Sequence, residues 1–303
     1  MFHGTTIQAT VSRVTDGDTI RVFLPGAIEN ESLRILALDT EESRAGGGKP
    51  VTPWGKKAKE RAEEFFSPGD EVTLEFPGTE DLETCWQRYR GNFGRLLVFV
   101  YKNNVDFQET MIREGFSPYF VKYGNASFSE NHQRYQAAER IAQQQNIGVW
   151  NQLAVNGSEV RNYAALGTWW HLRASIIDRY RQIAGTSSDL LNSRLDYAAI
   201  EARARAEESA TIFTELRSIQ PISGDRALIR IGSQQQPFKV FIPDVTSPEG
   251  QALLNLLEIR YISSDKTHPR RSYAYVTGTL SLFRDRPQIK VTRPDQITDD
   301  LPK

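Results

Sequence analysis

The sequence contains few of the residues from which disulfide frameworks and zinc sites are built. Its 303 residues include one cysteine, Cys85, and four histidines. A single cysteine forms no disulfide within the chain and builds no thiolate metal site. The histidines, His132 among them, lack the spacing of a metal-binding motif. These absences exclude a disulfide-stapled fold and a cysteine-based metal site.

Long apolar runs are also missing. No segment approaches the roughly 20 consecutive apolar residues that cross a bilayer. The first residues, MFHGTTIQATV, lack the basic start and apolar centre of a signal peptide. We therefore expect no membrane contact and a cytoplasmic location, or an exported protein if a signal peptide has been removed. With 39% hydrophobic and 25% charged residues, the composition is typical of folded chains, and the length suits two domains.

A strong excess of one charge is absent as well. The net charge is -1, but residues 1–150 hold 17 Lys and Arg against 21 Asp and Glu, whereas residues 211–303 hold 13 against 10. A nearly neutral chain does not bind nucleic acid by its total charge. Any affinity for a polyanion must therefore come from local basic patches.

The pattern of apolar residues divides the chain into three zones. Residues 1–155 contain five alternating segments, IQATVSRV, TIRVFL, SLRILAL, EVTLEF and RLLVFVYK, and a helix at TPWGKKAKERAEEFF. Residues 156–210 have helical spacing, and residues 211–303 return to short strands around one helix. The prediction is a mainly β fold with α: two OB-like five-stranded barrels joined by a helical hairpin. A homo-oligomer that forms through this connector is a further alternative.

Carboxylates stand at the ends of two predicted strands in the first zone. Asp16 and Asp18 flank a glycine directly before TIRVFL, and the strand LRILAL ends in Asp39. If these strands are neighbours, Asp18 and Asp39 can supply hard oxygen ligands to Ca²⁺ or Mg²⁺, with a backbone carbonyl and waters completing the shell. A divalent cation also removes the cost of burying unpaired carboxylates.

Three further residues near these carboxylates suit phosphate chemistry. Glu42 can orient a water molecule or accept its proton, and Arg34 and Arg95 can hold a phosphate through paired guanidinium hydrogen bonds. In-line attack by water adds negative charge to the phosphate oxygens, which arginines and a metal stabilise. The set therefore predicts phosphodiester hydrolysis.

Four motifs occur in order: DGDT at 16–19, RILALDTEE at 34–42, FGR at 93–95 and NIGVW at 146–150. With this order and spacing, residues 7–152 resemble the thermonuclease family, the staphylococcal nuclease-like domains. The resemblance implies a Ca²⁺-dependent endonuclease, with Mg²⁺ or Mn²⁺ as alternatives, that cleaves DNA and RNA with little sequence preference and leaves 3′-phosphates. It implies that the metal ligands are Asp18, Asp39 and the Thr40 carbonyl. It implies that the catalytic residues are Arg34, Glu42 and Arg95.

The sequence departs from the family pattern at several positions. Glu41 stands where the family usually has proline, and Phe93 replaces the more usual tyrosine. Of the two tyrosines on which the family stacks its substrate, Tyr123 fits one position and Val121 occupies the other. We expect weaker stacking, or stacking shifted to Tyr119 or Phe120.

The strands of the third zone alternate in a way that separates two faces. Opposite the predicted core face are basic and aromatic residues: Arg230, Lys239, Phe241, Tyr273, Tyr275 and Phe283. Aromatic rings stack on bases and cations bind phosphates, so this face predicts binding of DNA or RNA, with a preference for single strands. The alternative is that these residues pack on the helical connector or on a partner subunit.

Two classes of function follow. One is a metal-dependent nuclease with an auxiliary nucleic-acid-binding domain, and the other is a non-catalytic scaffold that binds nucleic acid or protein. Scaffold members of the family tend to lose the carboxylates and arginines, whereas this chain keeps them. The sequence therefore favours the enzyme. A third alternative, compatible with the first, is an enzyme whose connector and second barrel bind a partner that restricts cleavage to one substrate.

Overall fold

The computed structural model describes residues 2–45, 51–121, 128–151, 163–184, 186–263 and 270–301. The chain separates into two compact units, Met1–Gly91 with Arg95–Trp170 and Asn92–Gly94 with His171–Lys303. The predicted division at residues 155 and 210 stays a prediction.

The first unit is built on a curved sheet. Its strands are β1 (Thr6–Asp16), β2 (Thr19–Phe23), β3 (Glu31–Ile35), β4 (Ala37–Leu38), β5 (Glu71–Glu75), β6 (Leu96–Lys102), β7 (Val105–Asp106) and β8 (Tyr119–Phe120). The order is β3-β2-β1-β5-β6-β7, and β3 also pairs in parallel with β6. That pairing closes five strands into a barrel, which confirms the OB-like barrel predicted for this region. Strands β4 and β8 form a separate antiparallel pair.

The barrel closes around apolar, largely branched side chains. Its strands completely bury Ile20, Val22, Leu33, Leu74, Leu96, Val98 and Val100. Burying such side chains is the main favourable contribution to folding, and branched residues fit a pleated sheet well. The barrel therefore provides a rigid support for residues at its strand ends.

Up to residue 151, the described residues form four helices: α1 (Pro53–Phe65), α2 (Leu82–Arg88), α3 (Phe107–Arg113) and α4 (Ser129–Gln144). Helix α1 begins as the sequence predicts, because the Thr52 side chain caps its first turn and Pro53 occupies the first helical position. A short 3₁₀ turn, Gly148–Trp150, follows α4.

Helix α5 (Tyr163–Ile183) is the longest helix in the described part of the chain, and the boundary between the two units falls inside it. Among the described residues, no helix is both long and apolar enough to span a bilayer.

The second unit contains a mixed sheet. Its elements are β9 (Leu190–Asn192), α6 (Tyr197–Ala206), β10 (Ser209–Glu215), β11 (Ile219–Ile222), β12 (Arg226–Arg230), β13 (Lys239–Ile242), α7 (Pro248–Leu256), β14 (Tyr273–Phe283), β15 (Arg286–Lys290) and β16 (Ile297–Thr298). A π-helical turn, Leu257–Tyr261, follows α7, and a 3₁₀ turn, Pro294–Gln296, precedes β16. The order is β11-β12-β13-β15-β14-β10-β9, with β16 on β14. Within the described residues no pairing closes this path, so the second OB-like barrel stays a prediction.

The helical hairpin predicted for residues 156–210 is wrong in its second half. The segment from Leu190, predicted as helix, first forms strand β9, which pairs in parallel with β10. The Asn192 side chain then accepts hydrogen bonds from the backbone of Arg194 and Leu195, which forms a turn, and α6 begins only at Tyr197. Burial of Leu190 and its neighbour in the sheet overrides their helical spacing.

Candidate functional site

The turn between β1 and β2 fixes the position of Asp18. The Asp16 side chain accepts a hydrogen bond from the N–H of the next residue, Gly17, at 2.9 Å, which holds the backbone at the start of this turn. A Cβ on Gly17 would lie 2.9 Å from carbon atoms of Thr40 and Ala58. Only glycine therefore lets this turn pass so close to the loop that carries Thr40.

Arg34 on β3 lies between the two predicted metal-ligand carboxylates. It forms an ion pair with Asp18, and its Nη2 lies 3.2 Å from Asp39 Oδ1 and 3.0 Å from the Leu38 carbonyl. Asp18 and Asp39 are each 7% exposed. Charges removed from water need close partners, so each buried carboxylate depends on Arg34 as its counter-ion. The structure thus brings the two carboxylates together, with Arg34 as their shared counter-ion.

Arg95, the residue directly before β6, joins the same network. Its Nη1 donates to Thr19 Oγ1 at 3.1 Å, and that hydroxyl donates to Asp18 Oδ1 at 2.9 Å. The parallel pairing of β3 with β6 places Arg34 opposite Leu97. Two guanidinium groups and two carboxylates therefore meet at one end of the barrel.

The β4–β8 pair fixes the position of Asp39, whose N–H donates to Ser117 Oγ at 2.8 Å. Tyr119 on β8 is 8% exposed, with its hydroxyl 2.7 Å from His132 Nδ1. The expectation that Tyr119 stacks on substrate does not fit this burial, because the ring packs inside the unit. Tyr123, the other predicted stacking residue, lies outside the described residues.

Glu42 follows Asp39 on a tightly packed loop. It forms a parallel β-bridge with Val51, and a Cβ on Gly55 would lie 2.1 Å from the Glu42 carbonyl oxygen. The first turn of α1 therefore lies directly against the backbone of Glu42. The side chain of Glu42 is half-buried.

Glu41, at the position where the sequence departs from the family's proline, is 1% exposed. Its Oε1 accepts a hydrogen bond from the Tyr163 hydroxyl at the start of α5. The sequence did not identify Tyr163 as part of the site. The available signal was Glu41 itself, since a carboxylate next to an apolar strand needs a donor if it is buried.

The carboxylate pair provides part of the ligand set that a divalent metal ion requires. Among the described residues, no group of three or more His, Cys, Asp or Glu side chains is arranged so that it could hold a metal ion. The remaining donors are two buried carboxylates and the adjacent Thr40 carbonyl, all hard oxygen atoms. These donors fit Ca²⁺ or Mg²⁺ chemically, with waters needed to complete the shell.

Two of the aromatic residues predicted to meet nucleic acid in the second unit are inside it. Tyr273 and Tyr275 are each 2% exposed, and their rings lie 5.5 and 5.3 Å from that of Phe213. Tyr180 of α5 stacks on Phe213 at 4.1 Å. Helix α5 therefore covers this face of the sheet, and the packing alternative is correct for these two tyrosines.

The other four residues of the predicted nucleic-acid-binding face differ in how exposed they are. Arg230 is exposed, Lys239 and Phe241 are half-buried, and Phe283 is 49% exposed. A concave surface of the second unit includes, among others, Arg230, Lys239, Phe283, Arg284 and Arg286, and these five residues are called the basic cleft. Phe241 is not among its lining residues. Arg284 and Arg286 were missed because they belong to a turn and a strand start rather than to the alternating faces.

Comparisons with known proteins concern the N-terminal half. Residues 32–152 match the family described as staphylococcal nuclease homologue. The chain thus carries a staphylococcal nuclease-like domain. The match begins after Asp18, but the structure joins β1 and β2 to the same barrel.

Three curated relatives, all from Bacillus subtilis (strain 168), are similar to about half of the chain. The SPbeta prophage-derived endonuclease YokF and endonuclease YncB are each 29% identical over 148 residues, which is 48% of this chain and 44% and 62% of those proteins. Endonuclease YhcR is 28% identical over 153 residues, 48% of this chain and 11% of that protein. The chain thus matches less than two thirds of the length of each of these relatives.

Proposed function

We propose that this protein is a metal-dependent nuclease that hydrolyses DNA and/or RNA with little sequence preference. One observation carries the proposal: Arg34, Asp18 and Asp39 form one buried charged group, which Thr19 connects to Arg95 at the end of a barrel. The relatives whose printed names are endonucleases support the same reaction class.

In this proposal Asp18, Asp39 and the Thr40 carbonyl hold the cation, which is Ca²⁺, with Mg²⁺ or Mn²⁺ as alternatives. When bound, the cation supplies positive charge beside the phosphate. The two carboxylates suit this role because both are buried and close enough together to contact one guanidinium group, that of Arg34.

The chain's own residues carry the proposed proton and phosphate chemistry. Glu42 takes a proton from the attacking water while a new oxygen–phosphorus bond forms in line with the bond to the 5′ oxygen. The bond from phosphorus to the 5′ oxygen breaks, the 5′ oxygen takes a proton from solvent water and leaves as a hydroxyl, and the phosphate stays on the 3′ oxygen. Arg34 and Arg95 donate to the phosphate oxygens as their charge increases. Loss of one such donor costs about 3 kcal/mol of transition-state stabilisation.

The test uses end-labelled single-stranded DNA, duplex DNA and RNA, with Ca²⁺, Mg²⁺, Mn²⁺ or EDTA, and identification of the product ends. We expect metal-dependent cleavage that leaves 3′-phosphates and is lost in Glu42→Gln. Glu60→Gln is the matched control, because Glu60 is an exposed α1 carboxylate paired with Lys56. Equal cleavage by Glu42→Gln would overturn the assignment. Binding without cleavage by the unsubstituted chain would favour the scaffold alternative.

We also propose that the second unit assists substrate binding, whether or not its sheet proves to be an OB fold. The support is the accessible position of Arg230 and of part of Lys239 on its surface. Deletion of one unit would not test this cleanly, because the unit boundary lies within α5. Point substitutions in the full chain are the suitable test. The homo-oligomer predicted through residues 156–210 stays a prediction that sedimentation velocity can check.

A further inference from the structure

The basic cleft lies on four adjacent strands of the second unit. Arg230 on β12 is the cross-strand partner of Lys239 on β13, which is paired with β15. On the other side of β15, Arg286 is the partner of Phe283 on β14. Adjacent strands lie about 4.8 Å apart, so four strands spread these residues over about 14 Å. That extent exceeds one phosphate group and suits a chain of phosphates.

The four cations of the cleft are not neutralised by the protein. Within the described residues, Arg230, Lys239, Arg284 and Arg286 form no ion pair, and Asp285 in the turn pairs with none of them. Partial burial lowers the pKa of Lys239, and the nearby Arg230, Arg284 and Arg286 lower it further. Like charges held together without counter-ions repel each other, and a bound anion removes that repulsion.

The turn that carries Arg284 has an unusual backbone. Arg284 and Asp285 have φ values of 51° and 58°, the left-handed region that glycine and asparagine adopt with less strain. The tight β14–β15 hairpin thus presents a long cationic side chain at a position where such a residue is conformationally unfavourable. Strained residues of this kind concentrate at ligand sites.

An exposed aromatic ring lies among these charges. Phe283 is 49% exposed, with Lys239 Nζ 4.1 Å and Arg284 Cζ 5.4 Å from its ring centroid. The cations hold the ring at the surface through cation–π contacts. An unpaired base can stack on such a ring, whereas the bases of a duplex are already stacked on each other.

We propose that the basic cleft binds an unpaired nucleic-acid strand, with the four cations on successive phosphates and Phe283 against a base. The inference rests on the proposed function in taking nucleic acid as the substrate, but its binding step is separate from cleavage. The five residues of the basic cleft lie beyond residues 32–152, the range of the family match, while Asn92 and Phe93 of that range also line the concave surface.

The test measures binding by the full chain carrying Glu42→Gln, so that substrate is not consumed. The probes are a fluorescent single-stranded oligonucleotide and a duplex of the same sequence, over a salt series. Each phosphate neutralised on a single strand contributes about -0.7 to the slope of log K against log salt, so the four cations of the cleft contribute about -2.8 in addition to any contribution from Arg34 and Arg95. Arg284→Gln and Arg286→Gln should each make the slope shallower by about 0.7.

Phe283→Leu separates stacking from charge. It keeps an apolar side chain but removes the ring, so we expect about tenfold weaker single-strand binding with an unchanged salt slope and little effect on the duplex. The matched control is Arg226→Gln, an exposed arginine at the other end of β12, which should change neither quantity.

Four results would overturn the inference: an unchanged slope in the arginine variants, equal binding of single strand and duplex, displacement by inorganic phosphate alone, or equal binding of an acidic peptide. Cleavage assays on the same cleft variants without Glu42→Gln separate the two proposals. If the cleft variants still cleave in the presence of metal and bind the single strand as tightly as the unsubstituted chain, only the proposal about the basic cleft is contradicted. If the unsubstituted chain binds single strands specifically but does not cleave them, only the proposal that the protein is a nuclease is contradicted.

Discussion

The Tyr163 hydroxyl donates a hydrogen bond to the buried carboxylate of Glu41, the residue that directly precedes the proposed catalytic Glu42. Tyr163 is also buried, in a cluster with Trp54, Leu166 and Trp170. A residue beyond the family match thus fixes the loop at the position where the family usually has proline.

Removal of that hydroxyl is expected to weaken both stability and turnover. Tyr163→Phe keeps the ring packing and removes the hydroxyl that donates to a buried carboxyl oxygen, which predicts a loss of about 2 kcal/mol in the free energy of unfolding. Turnover should fall more than the apparent substrate affinity, because Glu42 is misplaced while the arginines remain. Urea denaturation and steady-state cleavage check the two effects. Unchanged kcat in a destabilised variant would limit Tyr163 to a structural role.

Arg34 and a divalent cation are expected to substitute for each other in stabilising the carboxylate pair. Arg34→Gln removes the shared counter-ion of Asp18 and Asp39, so the variant should be destabilised in EDTA. Added Ca²⁺ should then raise its melting temperature by more than that of the unsubstituted protein. Cleavage should remain at least about a hundredfold lower, since the phosphate has lost a donor. Calorimetry with and without Ca²⁺ checks this, and equal calcium responses would contradict it.

Two glycine substitutions are expected to act in opposite directions. Gly55→Ala would place a Cβ 2.1 Å from the Glu42 carbonyl oxygen, so it should destabilise the protein and impair cleavage. Gly167→Ala on α5 meets nothing within 4 Å and should stabilise the protein by about 0.5–1 kcal/mol. Denaturant titrations of both variants measure the difference. A neutral Gly55→Ala would show that this loop does not need the close packing.

Glu139 on α4 is expected to make stability depend on pH. Burial raises its pKa from an ordinary 4.5 to about 7, although the hydrogen bond from the Tyr119 N–H opposes the shift. The folded protein therefore holds the proton more tightly than the unfolded chain. Its stabilising contribution is complete below pH 4.5 and is lost as pH rises to about 7, by up to about 3 kcal/mol.

Glu139→Gln tests this relationship, because the amide oxygen can still accept the Tyr119 hydrogen bond without carrying charge. Unfolding free energies measured between pH 4.5 and 8 should fall less steeply in the variant than in the unsubstituted protein. Parallel curves would assign the pH dependence to other groups.

The sequence predicted the site best where the strand pattern and the order of the motifs indicated the same residues. The strand pattern predicted that Asp18 and Asp39 could act together if their strands were neighbours, and the structure places both beside Arg34. Tyr163 escaped prediction because its contact with Glu41 joins residues 122 positions apart. Tyr273 and Tyr275 were predicted at the surface because alternation separates two faces of a strand without showing that a helix covers the second. Strand β9 was missed because sheet pairing overrides local helical preference.

The parallel pairing of β3 with β6 has a consequence for protein synthesis. Arg95 donates a hydrogen bond to Thr19, which lies 76 positions earlier in the sequence. This part of the site therefore depends on long-range contacts, which form more slowly during folding than contacts between residues close in sequence. A nascent chain that ends before β6 has neither Arg95 nor the strand that closes the barrel. Under the proposed function, nucleic acids around the ribosome, including the message being translated, are therefore protected from the chain until that strand has emerged and paired.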